Sequence, residues 1–492
     1  MKEESLSSKV TISLLWKFFE RGSVQIMQLI IALIIARILG PEEYGSVALL
    51  TIFISIATVF VQSGLNTALI QKKDADEMDI SSVFYYSLVL AIVLYVILFF
   101  VAGPIARFYE MPKLKNMLRV LALILFPGAL NSIQLAVLSK KMQFRKQFYS
   151  SFFSVILSGG AGIVMAILGC GAWALIVQQL SYQVCVCILL WGLVKWRPKR
   201  IFSFQKTKEL LKFGGKLLGA RLIDTIYHNL ESLIIGKRYS SEMLAYCDKG
   251  KKFPLTLIDN IDGSVQSVML PAYASKQENI SEVKRMLRRT VSMSTYLVFP
   301  AMIGLAAVAK PLILLILGQE WLNCVPFLQL YCAIAMLFPL QTANLQAINA
   351  IGHSGTYFWL MLIKRIFGVV ILFVTVFFLD NVYYIVLACL ITEVIGIIAN
   401  FIPNKKLLDY SVFEQMKDIL PNLLAAIFMG AIVYFLSWLP IVISNAVWLE
   451  CVLILLIQCI AGVGIYFGLS ILFKNHSYNY IKENIKKRVG KK

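Results

Sequence analysis

The chain has 492 residues, 59% of them hydrophobic and only 15% charged, whereas a soluble domain carries roughly 25% charged residues. A mean hydropathy of +0.76 therefore excludes an ordinary water-soluble fold. A net charge of +20 would suit nucleic acid, but the cations gather in short segments between long apolar runs, which sets that partner aside.

A membrane helix needs roughly 20 apolar residues to cross about 30 Å of hydrocarbon. The sequence offers fourteen such runs, near 10–38, 44–70, 81–106, 116–138, 147–168, 171–195, 210–236, 243–272, 290–317, 322–350, 356–379, 382–403, 416–439 and 445–473. They are too long and too little alternating for barrel strands. No small-residue cleavage site follows the first run, so a retained anchor is expected rather than a removed signal peptide. The runs at 210–236 and 243–272 are interrupted by charge.

The joints between runs are short. Gly40-Pro41-Glu42-Glu43-Tyr44-Gly45 is the first; Gly40 suits the end of one helix and Pro41 the first turn of the next. Asp74-Ala75-Asp76 has the spacing of a metal-binding acidic pair, but after Lys72-Lys73 it reads better as a solvated turn. Gly169-Cys170-Gly171 and Leu379-Asp380-Asn381 are tight external joints. The longest cytoplasmic segments, 196–209 and 273–289, are too short for a folded catalytic domain. The nine cysteines lie almost all within apolar runs. Cys170, Cys185 and Cys187 lack zinc-ligand spacing and a histidine cluster, so buried thiols are expected.

With a cytoplasmic N-terminus, 32 of the 47 Lys and Arg fall in cytoplasmic segments, 7 in external ones and 8 within spans. This is the positive-inside bias. The largest blocks, Lys195 to Lys212 and Lys474 to Lys492, are placed to meet anionic headgroups. Arg107, Lys113, Lys115 and Arg119 run against the bias and read as interfacial anchors.

The chain repeats weakly at an offset of 200 residues: Arg21 falls on Arg221, Glu42 on Glu242, Gly45 on Ala245. Six spans precede each recurrence, so both halves insert in the same sense. The expected fold is all-α, a polytopic membrane protein of about 14 transmembrane helices. An N-terminal lobe over 1–205 and a second over 206–410 would be six-helix bundles related by a pseudo-twofold axis along the membrane normal. Residues 411–492 would add two further helices and a basic tail.

Several spans carry groups that lipid does not tolerate. Span 1 has Lys17, Arg21, Gln25 and Gln28. Span 7 has Lys216, Arg221, Asp224, His228 and Glu231, and span 8 has Asp248, Lys252, Asp259, Asp262 and Gln266. Span 10 adds Gln329, Gln341, Asn344 and Asn349. At 100° per residue each of the first three sets lies on one side of its helix. A central Lys, Arg or Asp costs about 2.5–3.5 kcal/mol on the insertion scale, so these faces meet either partner helices or water. A dry network would pair Arg221 with Asp224 and Lys252 with Asp248. A shared, water-filled cavity better explains why both lobes contribute. There Arg21 and Arg221 would grip a diphosphate through their guanidinium forks. Lys17, Lys216 and Lys252 would add charge, Gln25 and Asp259 would meet sugar hydroxyls, and His228 would line the same cavity.

Gln28-Leu29-Ile30-Ile31 through Ala36-Arg37-Ile38-Leu39-Gly40-Pro41-Glu42-Glu43-Tyr44-Gly45 resembles the start of polysaccharide-transport proteins. These belong to the multidrug/oligosaccharidyl-lipid/polysaccharide exporter superfamily. Ser63-Gly64-Leu65 with Ala68-Leu69-Ile70-Gln71, and Phe213-Gly214-Gly215-Lys216 through Leu233-Ile234-Ile235-Gly236, continue the likeness over nearly the whole chain. The resemblance implies a bacterial inner-membrane flippase, and the positive-inside bias sets both termini on the cytoplasmic side. Its substrate would be undecaprenyl-diphosphate-linked repeat units of O-antigen (lipopolysaccharide), exopolysaccharide or teichuronic-acid type, moved by alternating access. It implies anion binding at Arg21 and Arg221 alone. The expected partners are the lipid-linked oligosaccharide, membrane lipids, and the polymerase and other polysaccharide-assembly proteins. No cofactor is expected beyond sodium or proton coupling, for which Asp224 and Glu231 are the candidates.

Three other readings stand beside this one. A cation-coupled drug or metabolite antiporter would place a carboxylate where a cation docks, yet Glu20 is flanked by Lys17 and Arg21. A membrane glycosyltransferase or polymerase would need large external loops with catalytic acids. His228 and His353 lack a nucleophile-and-base setting, and no Gly-Lys-Ser/Thr phosphate loop is present. A non-transporting scaffold leaves the buried charge unexplained.

Overall fold

The computed structural model describes residues 6–479 apart from 63–64, 73–74, 142, 438–446, 474 and 476. For residues 6–21 and a few later positions, Lys216 among them, it describes the backbone alone. The described residues form helices and turns, with no strand. Apolar side chains on many helices face outward, for example Phe358, Phe373 and Phe377 at 60%, 44% and 77% exposure. Helices that satisfy their own backbone and turn such faces outward are what a bilayer requires. The chain is a multi-pass membrane protein.

Among the described residues, eleven helices are long and apolar enough to cross a membrane. The first is α1, Leu6–Gln62, a continuous run broken at Gly40, whose φ of 73° and ψ of 172° are not helical. Glycine takes that φ without the penalty a Cβ would bring, and Pro41 restarts the helix, so α1 holds two of the expected spans. The two charged spans form the long helices α8 (Phe204–Arg238) and α9 (Ser241–Ala274). Their charge keeps both below the apolarity of the other eleven.

The chain divides into two compact units, Met1–Ala245 and Tyr246–Lys492. In the first, α1 packs with α3 (Glu77–Phe108), α4 (Lys113–Leu121), α5 (Leu125–Lys140), α6 (Phe144–Ile167), α7 (Trp173–Leu193) and α8, and the short α2 (Leu65–Gln71) packs with α3, α5 and α8. Helix α8, which the sequence repeat gives to the second lobe, packs against α1, α2 and α3 of this unit. Leu69, Phe84, Ile133, Leu190 and Leu210 form a buried cluster joining α2, α3, α5, α7 and α8. At one end of the unit Asp76 caps α3 in a reciprocal box with Asp79, and Lys72 pairs with Asp79 at 2.7 Å. At Glu42 and Glu43, in the first joint, Lys113 sits 3.4 Å and 3.2 Å away. Glu43 also accepts from the Ala172 amide at 3.1 Å. Lys113 thus serves as a tie within the unit, and Arg119 donates to the Phe99 carbonyl at 3.1 Å.

The second unit holds nearly all of α9, then α10 (Ile280–Ala307), α11 (Ala309–Ile316), α12 (Cys324–Ala350), α13 (Ser354–Phe378), α14 (Val382–Leu408), α15 (Val412–Leu436) and α16 (Val447–Leu472). Caps set the starts: Asn279 for α10, Asn381 for α14, and a Ser411–Glu414 box for α15. Helices α9 and α12 approach closely at Gly250, where a Cβ would lie 2.8 Å from the Leu328 amide nitrogen. Helices α15 and α16 pack onto α10 and α11 around Tyr296, Phe299, Met429 and Tyr466.

Candidate functional site

The sequence places the chemistry on α1, α8 and α9. On α8, Arg221, Asp224 and His228 are all exposed. Steps of three and four residues put them on one face. Asp224 Oδ1 lies 3.5 Å from His228 Nε2, so Asp224 faces His228 one turn on. Ile223 and Ile226, 69% and 41% exposed, point the opposite way at 100° per residue. Helix α8 therefore offers an uncovered polar face and an uncovered apolar face on opposite sides. Lipid is the natural neighbour of the second. The first would cost several kcal/mol in lipid and needs water. Glu231 lies one turn beyond His228 and is buried, at 6% exposure. On α1, Gln25 and Gln28 are exposed, with exposed Ile30 and Ile34 on the far side. The side chains of Lys17, Arg21 and Lys216 lie outside the described residues.

Helix α9 repeats the pattern within its own unit. Lys252, Asp259 and Gln266 follow at seven-residue steps and are exposed. Leu257 and Val268, 48% and 60% exposed, sit opposite. Asp262 leaves the stripe: it is 9% exposed and accepts from Thr342 Oγ1 of α12 at 2.8 Å. The one-sided set seen in the sequence thus straddles the edge between wet face and helix contact.

A second polar cluster lies deeper in this unit. Lys364 on α13 and Glu393 on α14 pair at 2.7 Å, their side chains 16% and 15% exposed. Gln341 of α12 accepts from Lys364 Nζ at 2.8 Å and donates to Glu393 Oε2 at 2.7 Å. Sequence reasoning noticed Gln341 and missed the two charges it bridges. The available signal was Lys364-Arg365 in the middle of one apolar span and a single Glu393 in the middle of the next. Among the described residues no group of three or more His, Cys, Asp and Glu is placed to hold a metal ion. Asp76, half of the acidic pair singled out in the sequence, is occupied as a helix cap and as the partner of Lys206. That bond and the Asp79 amide hold its carboxyl down at about 2. Asp74 lies outside the described residues.

A model of the polysaccharide biosynthesis protein family matches residues 34–326, more than half of the chain. The chain belongs to this family. It is similar to the succinoglycan biosynthesis transport protein ExoT of Rhizobium meliloti, 24% identical over 73% of this chain and 72% of the relative. It is also similar to the teichuronic acid biosynthesis protein TuaB of Bacillus subtilis, 23% identical over 72% of this chain and 74% of the relative. The fold of this polysaccharide biosynthesis protein is that of a solved lipid II flippase, MurJ in an inward closed conformation. The TM-score is 0.74 at 18% identity, covering 94% of this chain and 98% of that one. An inward-facing multidrug resistance MATE family transporter of the MOP superfamily shares it less completely, with TM-score 0.60, 16% identity, and coverage of 79% and 96%. The match confirms the resemblance read from Gly40-Pro41-Glu42-Glu43 and its flanks.

Proposed function

We propose that this chain is a flippase that moves undecaprenyl-diphosphate-linked repeat units from the cytoplasmic to the outer leaflet for polysaccharide assembly. The observation that carries the reading is the pair of two-sided helices, α8 and α9. Each sets cationic and hydrogen-bonding groups on an uncovered face opposite a lipid-type one. A substrate that is half anionic glycan and half hydrocarbon needs both kinds of surface at once. The transport and flippase roles in the names of the relatives and of the structural neighbour support the same reading.

In this account Arg221 and Lys252, together with Arg21, Lys17 and Lys216, meet the diphosphate. A unit charge pair about 4 Å apart is worth roughly 4 kcal/mol at an effective dielectric of 20. Gln25, His228 and Asp259 meet sugar hydroxyls, while the prenyl tail stays in lipid. The lobes, 1–205 and 206–410, rock about an axis along the membrane normal, and residues 411–492 ride on the second. The protein makes and breaks no covalent bond. Asp224 and Glu231 are the carboxylates through which a sodium or proton gradient would act. It resides in the bacterial inner membrane with both termini cytoplasmic, beside the polymerase and other assembly proteins.

The reading is tested by transbilayer movement of a labelled polyprenyl-diphosphate oligosaccharide in proteoliposomes, with and without ion gradients. Movement above that in protein-free vesicles is expected. Its absence under every gradient, with export of an organic cation instead, would favour the antiporter reading.

A further inference from the structure

A cavity of about 960 Å³ lies at the basic end of the second unit, between the first turns of α10 and α15 and the residues after α16. Five cations line it, Lys284, Arg285, Arg288, Arg289 and Lys417, against two acids, Glu282 and Asp418. The inner wall is largely neutralised from within. Arg288 holds Asp418 in a fork, Nε to Oδ2 at 2.8 Å and Nη2 to Oδ1 at 2.7 Å, and Tyr410 donates to the same carboxylate at 2.9 Å. Lys284 reaches Glu414 at 3.1 Å. Arg285 lies 3.5 Å from Glu282, and the lining keeps an excess of cations over acids, with Arg285, Arg289 and Lys417 exposed.

The direction of the two helix faces identifies the ligand. Arg285, Arg289, Met293 and Leu297 follow at four-residue steps along one face of α10. Lys417, Pro421 and Leu424, at steps of four and three, share one face of α15. Both faces begin in cations at the cavity and end in uncovered leucines, 53% exposed at Leu297 and 57% at Leu424. A free phosphate ester would use only the first half of this surface. A membrane lipid uses both, its phosphate among the cations and its chains along the leucines. Basic pockets between membrane helices at the cytoplasmic side are suited to such headgroups.

We propose that this cavity holds the phosphate headgroup of an anionic glycerophospholipid from the adjoining leaflet, with its acyl chains along Leu297 and Leu424. The site is separate from α8 and the polar face of α9, and it stands whether or not the chain flips a glycan lipid.

The full chain, purified in detergent, would be examined by native mass spectrometry with phosphatidylglycerol and phosphatidylcholine offered in equal amounts. The wild type is expected to retain one phosphatidylglycerol in preference. A charge-keeping variant, R285K/R289K/K417R, should do the same. R285Q/R289Q/K417Q should weaken that retention more than about tenfold, and the milder Arg289→Gln about fivefold, from roughly 1 kcal/mol per cation near a membrane surface. Neutralising Lys195, Lys199 and Arg200 should change nothing. Equal retention of both lipids by the wild type, or an unchanged preference in the Gln variants, would overturn the proposal. So would an equal loss on neutralising the 195–200 cluster, which would mark diffuse charge. Displacement by glycerol phosphate at matched concentration would reassign the cavity to soluble phosphate esters, and tighter binding of a polyprenyl diphosphate would reassign it to the glycan lipid.

Discussion

Lys364 and Glu393 are charged groups in the middle of largely apolar helices, and each is tolerable because of the other and Gln341. Removing one partner of a buried pair leaves an uncompensated charge and costs roughly 3–5 kcal/mol, whereas replacing both with apolar residues is often neutral. Thermal unfolding in detergent should therefore show Lys364→Met and Glu393→Met strongly destabilised and the double variant restored towards wild type. Asp76 gives a pH-dependent case outside the membrane. Its carboxyl is held at about 2, below the ordinary 3.8. Its charge therefore stabilises the fold above about pH 4, and that contribution fades as pH falls from 3.8 towards 2. Asn caps a helix as well as Asp does, so Asp76→Asn isolates the bond to Lys206. Unfolding curves should place the variant below wild type at pH 5 and merge with it near pH 2. Some of this was legible in the sequence. Asp76 after two lysines read as a turn because residue type and neighbours suffice for that. The Lys364–Glu393 pair did not emerge, because which spans adjoin is set by packing and not by local pattern.

At the scale of helices, α8 and α9 carry the functional argument through geometry alone. Arg221, Asp224 and His228 oppose Ile223 and Ile226; Lys252 and Asp259 oppose Leu257. Single cysteines in a cysteine-free background should report this directly. Positions 221, 224, 228, 252 and 259 should react with a charged, membrane-impermeant thiol reagent, and positions 223, 226 and 257 should not. Uniform reactivity around α8 would place the whole helix in water and remove the lipid-facing side. The stripes were visible in the sequence as charge recurring at helical spacing in otherwise apolar runs. The inward turn of Asp262 onto Thr342 was not. It sits about 60° from the centre of the stripe by helical spacing, near enough for periodicity to group it with the others. Gly40 was legible for the same local reason as Asp76: Gly followed by Pro specifies a helix end and a helix start, and the backbone breaks there at a φ of 73°.

At the scale of the whole molecule, hydropathy was sufficient for the fold class, because a bilayer admits few ways to bury a backbone. The count of spans is harder to read, since α8 and α9 trade apolarity for charge and α1 runs through its break. The repeat marks where a sequence pattern recurs, while α8 finds its neighbours among α1, α2 and α3. The family match makes the chain a polysaccharide biosynthesis protein, and the proposed account has it move a glycan lipid. The most direct test of that account compares wild type, Arg221→Ala and Ile223→Ala for transbilayer movement of a labelled polyprenyl-diphosphate oligosaccharide. Each would be reconstituted at equal density after its folding has been verified. The account predicts movement by wild type and Ile223→Ala and a loss of about tenfold or more in Arg221→Ala, from removal of one charge-assisted contact worth roughly 1.5–3 kcal/mol. Equal movement by all three would contradict the placement of the diphosphate on the polar face of α8.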